Sequence, residues 1–170
     1  MSYIIQTART ALRAFRKEDA VFLLSLMNTP GWLNYIGNTS VKTEEDAQKT
    51  IQNKHIPMQE KHGFSLFVVE LKENSEPIGI CGLLRREGME DVELGFAFLE
   101  AYCQKGFGYE TAKAVVDYGT ETLQLSLLAA LISQDNIASK NLVLKLGFTF
   151  AKEVQLSEYK PLHLYQYKAK

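Results

Sequence analysis

The most informative segment of the chain is Cys103-Gln104-Lys105-Gly106-Phe107-Gly108-Tyr109, which follows a strand-like run and opens a helical pattern. Its two glycines let the backbone come close to a ligand, and the first N–H groups of a helix have no intrahelical partners. With the helix dipole and the charge of Lys105, this arrangement favours phosphate. The same glycines also fit an ordinary turn, so the segment alone leaves both interpretations open.

Two common nucleotide-binding motifs are absent from this segment. The dinucleotide motif G-x-G-x-x-G needs a third glycine, and Thr111 stands at that position. The P-loop motif needs G-K-[ST], which does not occur here. We therefore expect an anionic ligand that is bound in some other way.

A second helix start follows the next strand along the chain. Asn136 opens a helical run, Ser139 stands three residues later, and Gly147 ends the run. Asn is a preferred N-cap, and a serine in the first turn often bonds the backbone, so both residues also have a purely structural interpretation. Two adjacent helix starts that face one crevice nevertheless predict a site for a long anionic cofactor.

Hydrophobic periodicity predicts a mixed α/β (α+β) domain, with helices packed on a sheet. Thr43 and Asp46 have the spacing of a capping box, and the helix that they open should end by His55 or Ile56, because Pro57 disfavours helical geometry before it. The predicted elements are strand 11–15, helix 20–27, loop 31–40, the capped helix, strands 64–71, 78–84 and 92–98, helical periodicity over 112–123, strand 127–132, helix 136–146, and strands 148–154 and 163–167.

The strand over residues 92–98 has two different faces. Alternation puts Val92, Leu94, Phe96 and Phe98 on a core face, and Glu93, Gly95 and Ala97 on the other face. A carboxylate beside small residues, such as Glu93, is usually solvated, but it could also take a proton from an ammonium group.

Length and composition narrow the class of protein. At about 150 residues per domain, 170 residues predict a single domain over residues 1–170. A formal charge of -1 argues against a dedicated nucleic-acid binder, and no stretch resembles a signal peptide or a membrane helix. Two cysteines are too few for a disulfide scaffold, so we expect a cytoplasmic protein. The three histidines lack ligand spacing, so no metal site is predicted.

Four stretches together resemble the GNAT superfamily of acyl-CoA-dependent N-acetyltransferases, and within it the ribosomal-protein N-terminal acetyltransferase-like branch. The resemblance covers nearly the whole chain, and it implies a mostly antiparallel sheet whose central strand pair splays apart. The stretches are residues 8–15 with 18–20, Glu93-Leu94-Gly95-Phe96, Lys105-Gly106-Phe107-Gly108 with Glu110, and Asn136-x-x-Ser139 through Leu146-Gly147-Phe148.

The resemblance implies acetyl-CoA (coenzyme A) as the cofactor. The pantetheine arm would pair with backbone groups in the splayed gap, like an added strand, and an N–H near Ala97 would polarise the thioester carbonyl. Cys103 stands where many relatives carry Arg or Gln. The implied cofactor-binding residues are Phe96, Ala97, Phe98, Gln104, Lys105, Gly106, Phe107, Gly108, Tyr109, Asn136 and Ser139.

The resemblance also implies direct attack of an amine on the thioester, with Glu93 as the base. Many relatives carry a tyrosine acid six or seven residues after the Asn, where this chain has Leu142 and Val143, so Ser139 is the candidate acid. Trp32 and Tyr35, with Glu93, would contact the acceptor, although aromatic residues there also suit a satellite core.

Several alternatives stay open. The acceptor is either a protein N-terminal α-amine or a small-molecule amine, and the protein is a monomer or a homodimer without membrane or direct nucleic-acid partners. A non-catalytic acyl-CoA-binding or protein-interaction module on the same fold is the second interpretation, because fold alone does not decide function.

Overall fold

The computed structural model describes residues 2–37, 40–156 and 160–170. Short 3-10 turns occur at Lys17–Asp19 and Glu100–Tyr102, and π-helical turns at Ile51–His55 and Tyr118–Thr122. The helices are α1 (Ala20–Met27), α2 (Pro30–Tyr35), α3 (Glu44–Thr50), α4 (Ile56–His62), α5 (Phe107–Asp117) and α6 (Ile137–Leu146). The strands are β1 (Ile5–Gln6), β2 (Thr10–Arg13), β3 (Leu66–Leu71), β4 (Pro77–Leu84), β5 (Val92–Phe98), β6 (Leu127–Ser133), β7 (Thr149–Val154) and β8 (Leu162–Lys168).

The strands of the described residues form one sheet in the order β1-β2-β3-β4-β5-β6-β8-β7. β5 and β6 pair in parallel, and the other neighbours pair antiparallel. The predicted fold class, a mixed and mostly antiparallel sheet flanked by helices, is confirmed.

Helices cover both faces of the sheet. Phe67 and Cys81 point into a core that includes residues of α5 and α6, whereas Val68 and Ile80 point into a second core with residues of α1 and α3. β5 follows the predicted alternation, because Val92 and Leu94 are buried in the first core while Ala97 packs against the second.

Several local predictions are confirmed. β5 spans Val92–Phe98, as the alternation predicted. Thr43 and Asp46 form the capping box of α3, and Gly147 ends α6 with a left-handed φ of 103°. Each of these features depends on local chemistry, so a few consecutive residues are enough to predict it.

The predicted loop over residues 31–40 is wrong in its first half. Pro30–Tyr35 forms a short helix, because Thr29 accepts a hydrogen bond from the Trp32 N–H and Pro30 supplies a first-turn φ. Residues 38 and 39 of that predicted loop lie outside the described residues.

The predicted helix end at His55 or Ile56 is also wrong. The Ile56 N–H donates to the Ile51 carbonyl oxygen across a π-turn, and the helix continues as α4. Pro57 lies in the first turn of α4, where a missing N–H costs little. The π-turn therefore lets the chain pass the proline without leaving the helix.

Candidate active site

A gap opens between the two central strands. β5 and β6 pair only at Val92 with Leu128 and at Glu93 with Ala129 among the described residues, although both strands continue well beyond these pairs. Glu93 is therefore the last residue of β5 that pairs with β6. The predicted splayed central pair is confirmed, with Glu93 at the narrow end of the gap.

The antiparallel ladder decides which backbone groups face this gap. The Leu99 N–H donates to the Ile78 carbonyl oxygen at 2.9 Å, and the register between β4 and β5 is continuous. Alternate residues of such a ladder face the partner strand, so the groups of Ala97 face β4. The backbone groups of Phe96 and Phe98 face the gap. Ala97, which the sequence analysis predicted to bind the cofactor together with Phe96 and Phe98, has its backbone groups on the β4 side instead.

The loop before α5 lies beyond the far end of β5. Gly106 is the N-cap of α5 with a φ of 86°, and Gln104 also has a positive φ of 60°. Within residues 2–37, 40–156 and 160–170, no protein acceptor bonds the N–H groups of residues 104–109. The glycine conformation therefore leaves a series of free amide donors at the start of a helix.

Contacts of Arg9, in the N-terminal segment, hold this loop in place. The Arg9 guanidinium pairs with Glu110 at 2.7 Å, donates to the Lys105 carbonyl oxygen at 3.1 Å, and lies over the Phe107 ring. Partial burial opposes ionisation of Glu110, but hydrogen bonds from Thr7 and Arg9 outweigh it and lower the pKa of this carboxyl. Sequence reasoning missed Thr7 and Arg9, because they lie about a hundred positions from the loop.

Gly108 lets the middle of α6 pack closely against the start of α5. A Cβ at this position would lie 3.0 Å from Leu142 Cδ1 and 3.8 Å from Phe98 Cε2. The close approach of α6 therefore depends on a residue without a side chain. Ser139 lies one turn before Leu142 along α6, so α6 and the loop meet at this end of the gap.

The polar residues of the α6 start have different surroundings. Asn136 Oδ1 accepts the Ser139 N–H at 3.2 Å, which is an ordinary helix cap. The only hydrogen bond of Ser139 outside the helix ladder, within the described part of the chain, is this one from its backbone N–H, so its hydroxyl has no hydrogen-bond partner there.

Glu93 is buried, so the interpretation of a solvated carboxylate is wrong. It is 3% exposed and accepts two hydrogen bonds from Arg86, at 2.7 and 3.0 Å. The bond to Glu93 raises the pKa of Arg86. Desolvation and repulsion by Arg86 lower the pKa of Lys54, against the attraction of Glu93. The narrow end of the gap thus carries one carboxylate and two cationic side chains.

The two aromatic residues predicted to contact the acceptor lie on α2. Trp32 is half-buried against the second core, whereas Tyr35 is 39% exposed. The satellite-core interpretation therefore applies to Trp32, and the Tyr35 ring is accessible from solvent.

The described residues contain no cluster of three His, Cys, Asp or Glu side chains that could bind a metal ion. None of the helices in the same part of the chain is long and apolar enough to span a bilayer.

Residues 9–149 match the family model described as an acetyltransferase (GNAT) domain. The chain belongs to the GNAT acetyltransferase family. It is 31% identical over 157 residues to the uncharacterized N-acetyltransferase YoaA of Bacillus subtilis. The aligned region covers 92% of this chain and 87% of YoaA. Its N-acetyltransferase relatives support its assignment as an acetyltransferase.

Solved GNAT structures share the fold. An acetyltransferase from Agrobacterium tumefaciens superimposes with a TM-score of 0.83 at 22% identity, over 99% of this chain and 95% of that one. RimL, a ribosomal L7/L12 alpha-N-protein acetyltransferase solved in complex with coenzyme A, has a TM-score of 0.82 at 17% identity and 98% coverage of both chains.

Proposed function

We propose that this GNAT acetyltransferase transfers the acetyl group of acetyl-CoA to a primary amine within a ternary complex. The observation that supports the proposal best is the row of free amides at residues 104–109, next to a gap that runs back to Glu93. RimL, whose fold is similar, has been solved with coenzyme A bound.

The wide end of the gap fits a diphosphate. Free N–H groups at a helix start favour anions, and Lys105 adds a positive charge there. Gly106 and Gly108 have no side chains that could cover the backbone amides of the loop. The remaining members of the proposed diphosphate set are Gln104, Phe107 and Tyr109, with Asn136 and Ser139 at the neighbouring helix start.

The gap itself fits the pantetheine arm. The backbone groups of Phe96 and Phe98 face it, and β6 has diverged too far to bond them in the described structure. An extended ligand with amide groups can pair with such a strand edge. In this proposal the arm lies along β5 and brings its thioester end toward Glu93.

Acetyl-CoA supplies the acetyl group as a thioester, which a neutral amine attacks directly as the new C–N bond forms and the C–S bond breaks. Glu93 accepts the ammonium proton, directly or through water, while Arg86 holds its carboxylate. The Ser139 hydroxyl donates a proton to the departing sulfur and is restored by the second proton, which the nitrogen loses as it becomes an amide. Because a thiol of this kind titrates at about 8.5, the contribution of that acid is small at neutral pH.

The acceptor decides how much help Glu93 must give. Deprotonating an α-amine of pKa about 8 costs roughly 1 kcal/mol at pH 7, and a lysine-like amine costs roughly 5 kcal/mol. We therefore expect faster transfer to amines of lower pKa, whether on a protein N-terminus or a small molecule.

The test combines thermal shift with a thiol-release assay. A hundredfold excess of acetyl-CoA over its Kd should stabilise the fold by ~2.7 kcal/mol. With a reactive amine, Glu93→Gln should lower kcat at least tenfold and leave the Kd of CoA unchanged.

Arg86→Gln serves as the matched control, because it removes the same ion pair and keeps the carboxylate. Equal losses of kcat in the two variants would assign Glu93 a structural role. Binding of acetyl-CoA without transfer to any amine of a broad panel would instead favour the non-catalytic binding module.

A further inference from the structure

A cavity of about 250 Å³ lies between the start of β3 and the helical segment of residues 55–60. None of its lining residues belongs to β5 or β6, the strands that border the proposed CoA gap. The walls of the cavity come from the π-turn and α4, from the segment after β2, and from the start of β3. The main lining residues are Phe15, His55, Gln59, Ser65, Leu66 and Phe67.

Two buried polar atoms of this cavity have no hydrogen-bond partner among the residues that the structure describes. They are the Oγ of Ser65, which is 2% exposed, and the buried Oε1 of Gln59. Buried polar groups are normally paired, and an unpaired one is unfavourable. Something with hydrogen-bonding capacity, either water or a ligand, is therefore needed to complete the cavity.

His55 adds a third unpaired polar side chain. It is 6% exposed, stacks on Phe15 with 4.5 Å between ring centroids, and forms no hydrogen bond within the described residues. Burial, with a smaller contribution from Lys54, lowers the pKa of His55 to about 4. The ring is therefore neutral at pH 7, with one donor and one acceptor nitrogen.

The charges around the cavity favour an uncharged guest. No lysine or arginine is among its lining residues, and the one lining carboxylate, Glu60, is exposed. Lys54 lies close enough to influence His55. A buried ammonium or carboxylate would need a paired counter-charge inside the cavity, whereas a hydroxyl or carboxamide needs hydrogen bonds alone.

The cavity lies on the same face of the sheet as the Glu93 side chain, because Phe15 and Leu66 of the cavity and Ala97 of β5 all pack in the second core. Leu66, one of its walls, places Cδ2 3.0 Å from the position that a Cβ of Gly95 would take. Gly95 follows Glu93 by two residues, so the two share a face of β5. Leu66, together with Leu84 at 2.9 Å from the same position, therefore connects the wall of the cavity with the strand segment that follows Glu93.

We infer that this cavity receives the distal end of the acceptor, an uncharged hydroxyl or carboxamide on a short apolar segment, an inference that rests on the proposed function. The apolar segment packs against Phe15 and Leu66. The polar end pairs with Ser65 Oγ and Gln59 Oε1, the two atoms that lack a hydrogen-bond partner in the described part of the chain. The acceptor class is thus a primary amine with a neutral polar group at its other end.

Three amines of matched length test this inference: 5-aminopentanol, hexylamine and cadaverine. We expect kcat/KM for aminopentanol to exceed that for hexylamine at least tenfold, because hexylamine leaves the buried atoms unpaired. Ser65→Ala should abolish the difference. Ser126→Ala is the control, because Ser126 is exposed and does not line the cavity.

The outcomes separate the cavity from the proposed reaction. Equal transfer to aminopentanol and hexylamine, or a preference for cadaverine, would overturn the inference and leave the proposed function intact. If no amine is acetylated, the proposed function fails, and calorimetric titration with aminopentanol still tests the cavity. Binding that Ser65→Ala weakens tenfold would support it, and equal or undetectable binding would mean that the cavity holds only water.

Discussion

The two ends of the gap between β5 and β6 are built from different parts of the chain. At the wide end, the unpaired groups are main-chain amides of residues 104–109, whose positions depend on the left-handed backbone conformation of Gln104 and Gly106. At the narrow end, the chemistry belongs to side chains, with Glu93 buried against Arg86 and within reach of Lys54. In the proposed mechanism, the end that binds the co-substrate therefore depends on backbone shape, and the end that binds the acceptor depends on side-chain identity.

The largest effect is expected at the wide end. Gly106→Val places a β-branched side chain at a φ of 86°, with its Cβ 3.1 Å from Arg9 Nη2. The amides must move to relieve this strain. We expect the affinity for acetyl-CoA to fall at least a hundredfold, about 2.7 kcal/mol, measured by calorimetric titration.

Gly88→Val is the matched control for that change, because Gly88 also has a φ of 86° and nothing lies within 4 Å of its Cβ position. It should lose similar stability and keep its affinity for acetyl-CoA. Equal affinity losses in both variants would remove the special role of the loop.

A smaller effect, on stability, is expected on the acceptor side. The pKa of His55 is about 4 in the fold, below its ordinary value of 6.5, so the unfolded chain takes up a proton first as the pH falls. This contribution to stability is complete above about pH 6.5 and declines toward pH 4. Between pH 7 and pH 5 it should cost about 2 kcal/mol, measured by urea unfolding.

His55→Phe provides the comparison for the pH effect, because it keeps an aromatic ring against Phe15 and removes the titrating group. Its stability should fall less than that of the unchanged protein over the same pH range. An identical decline in both proteins would show that His55 does not titrate differently on folding.

The smallest effect is expected from the contacts between Arg9 and the loop. Arg9 is 46% exposed at its side chain, and exposed ion pairs contribute about 0.2–1 kcal/mol. Arg9→Ala should therefore weaken acetyl-CoA binding only a few-fold, with a loss that shrinks at high salt.

Lys113→Ala removes an exposed pair with Asp117 on the same helix and should leave the affinity unchanged. A hundredfold loss in Arg9→Ala would mean that Arg9 contacts the diphosphate itself rather than positioning the loop.

The difference between the two ends also explains what could be predicted from sequence. The span of β5 and the cap at Gly147 follow from alternation and glycine chemistry within a few residues. The burial of Glu93 did not follow, because Arg86 reaches it from the β4–β5 connection. Pro57 misled for a similar reason, since the π-turn before it is a property of the folded helix.

The cavity at Ser65 was beyond sequence reasoning altogether. Its walls come from three segments that tertiary packing brings together, and Ser65 stands in an ordinary apolar run. Nothing in the local pattern indicates that its hydroxyl lacks a partner. Predictions from sequence are therefore strongest where the main chain carries the chemistry, and weakest where distant side chains meet.

Binding of the diphosphate by the loop amides is tested most directly by amide NMR of the labelled protein during titration with CoA and with acetyl-pantetheine, which lacks the diphosphate. CoA should move the amide resonances of Gly106 and Gly108 together with those of Phe96 and Phe98. Acetyl-pantetheine should move the strand amides and leave the loop amides in place. Saturation with CoA while the resonances of the loop amides stay unmoved would show that the loop does not bind the diphosphate.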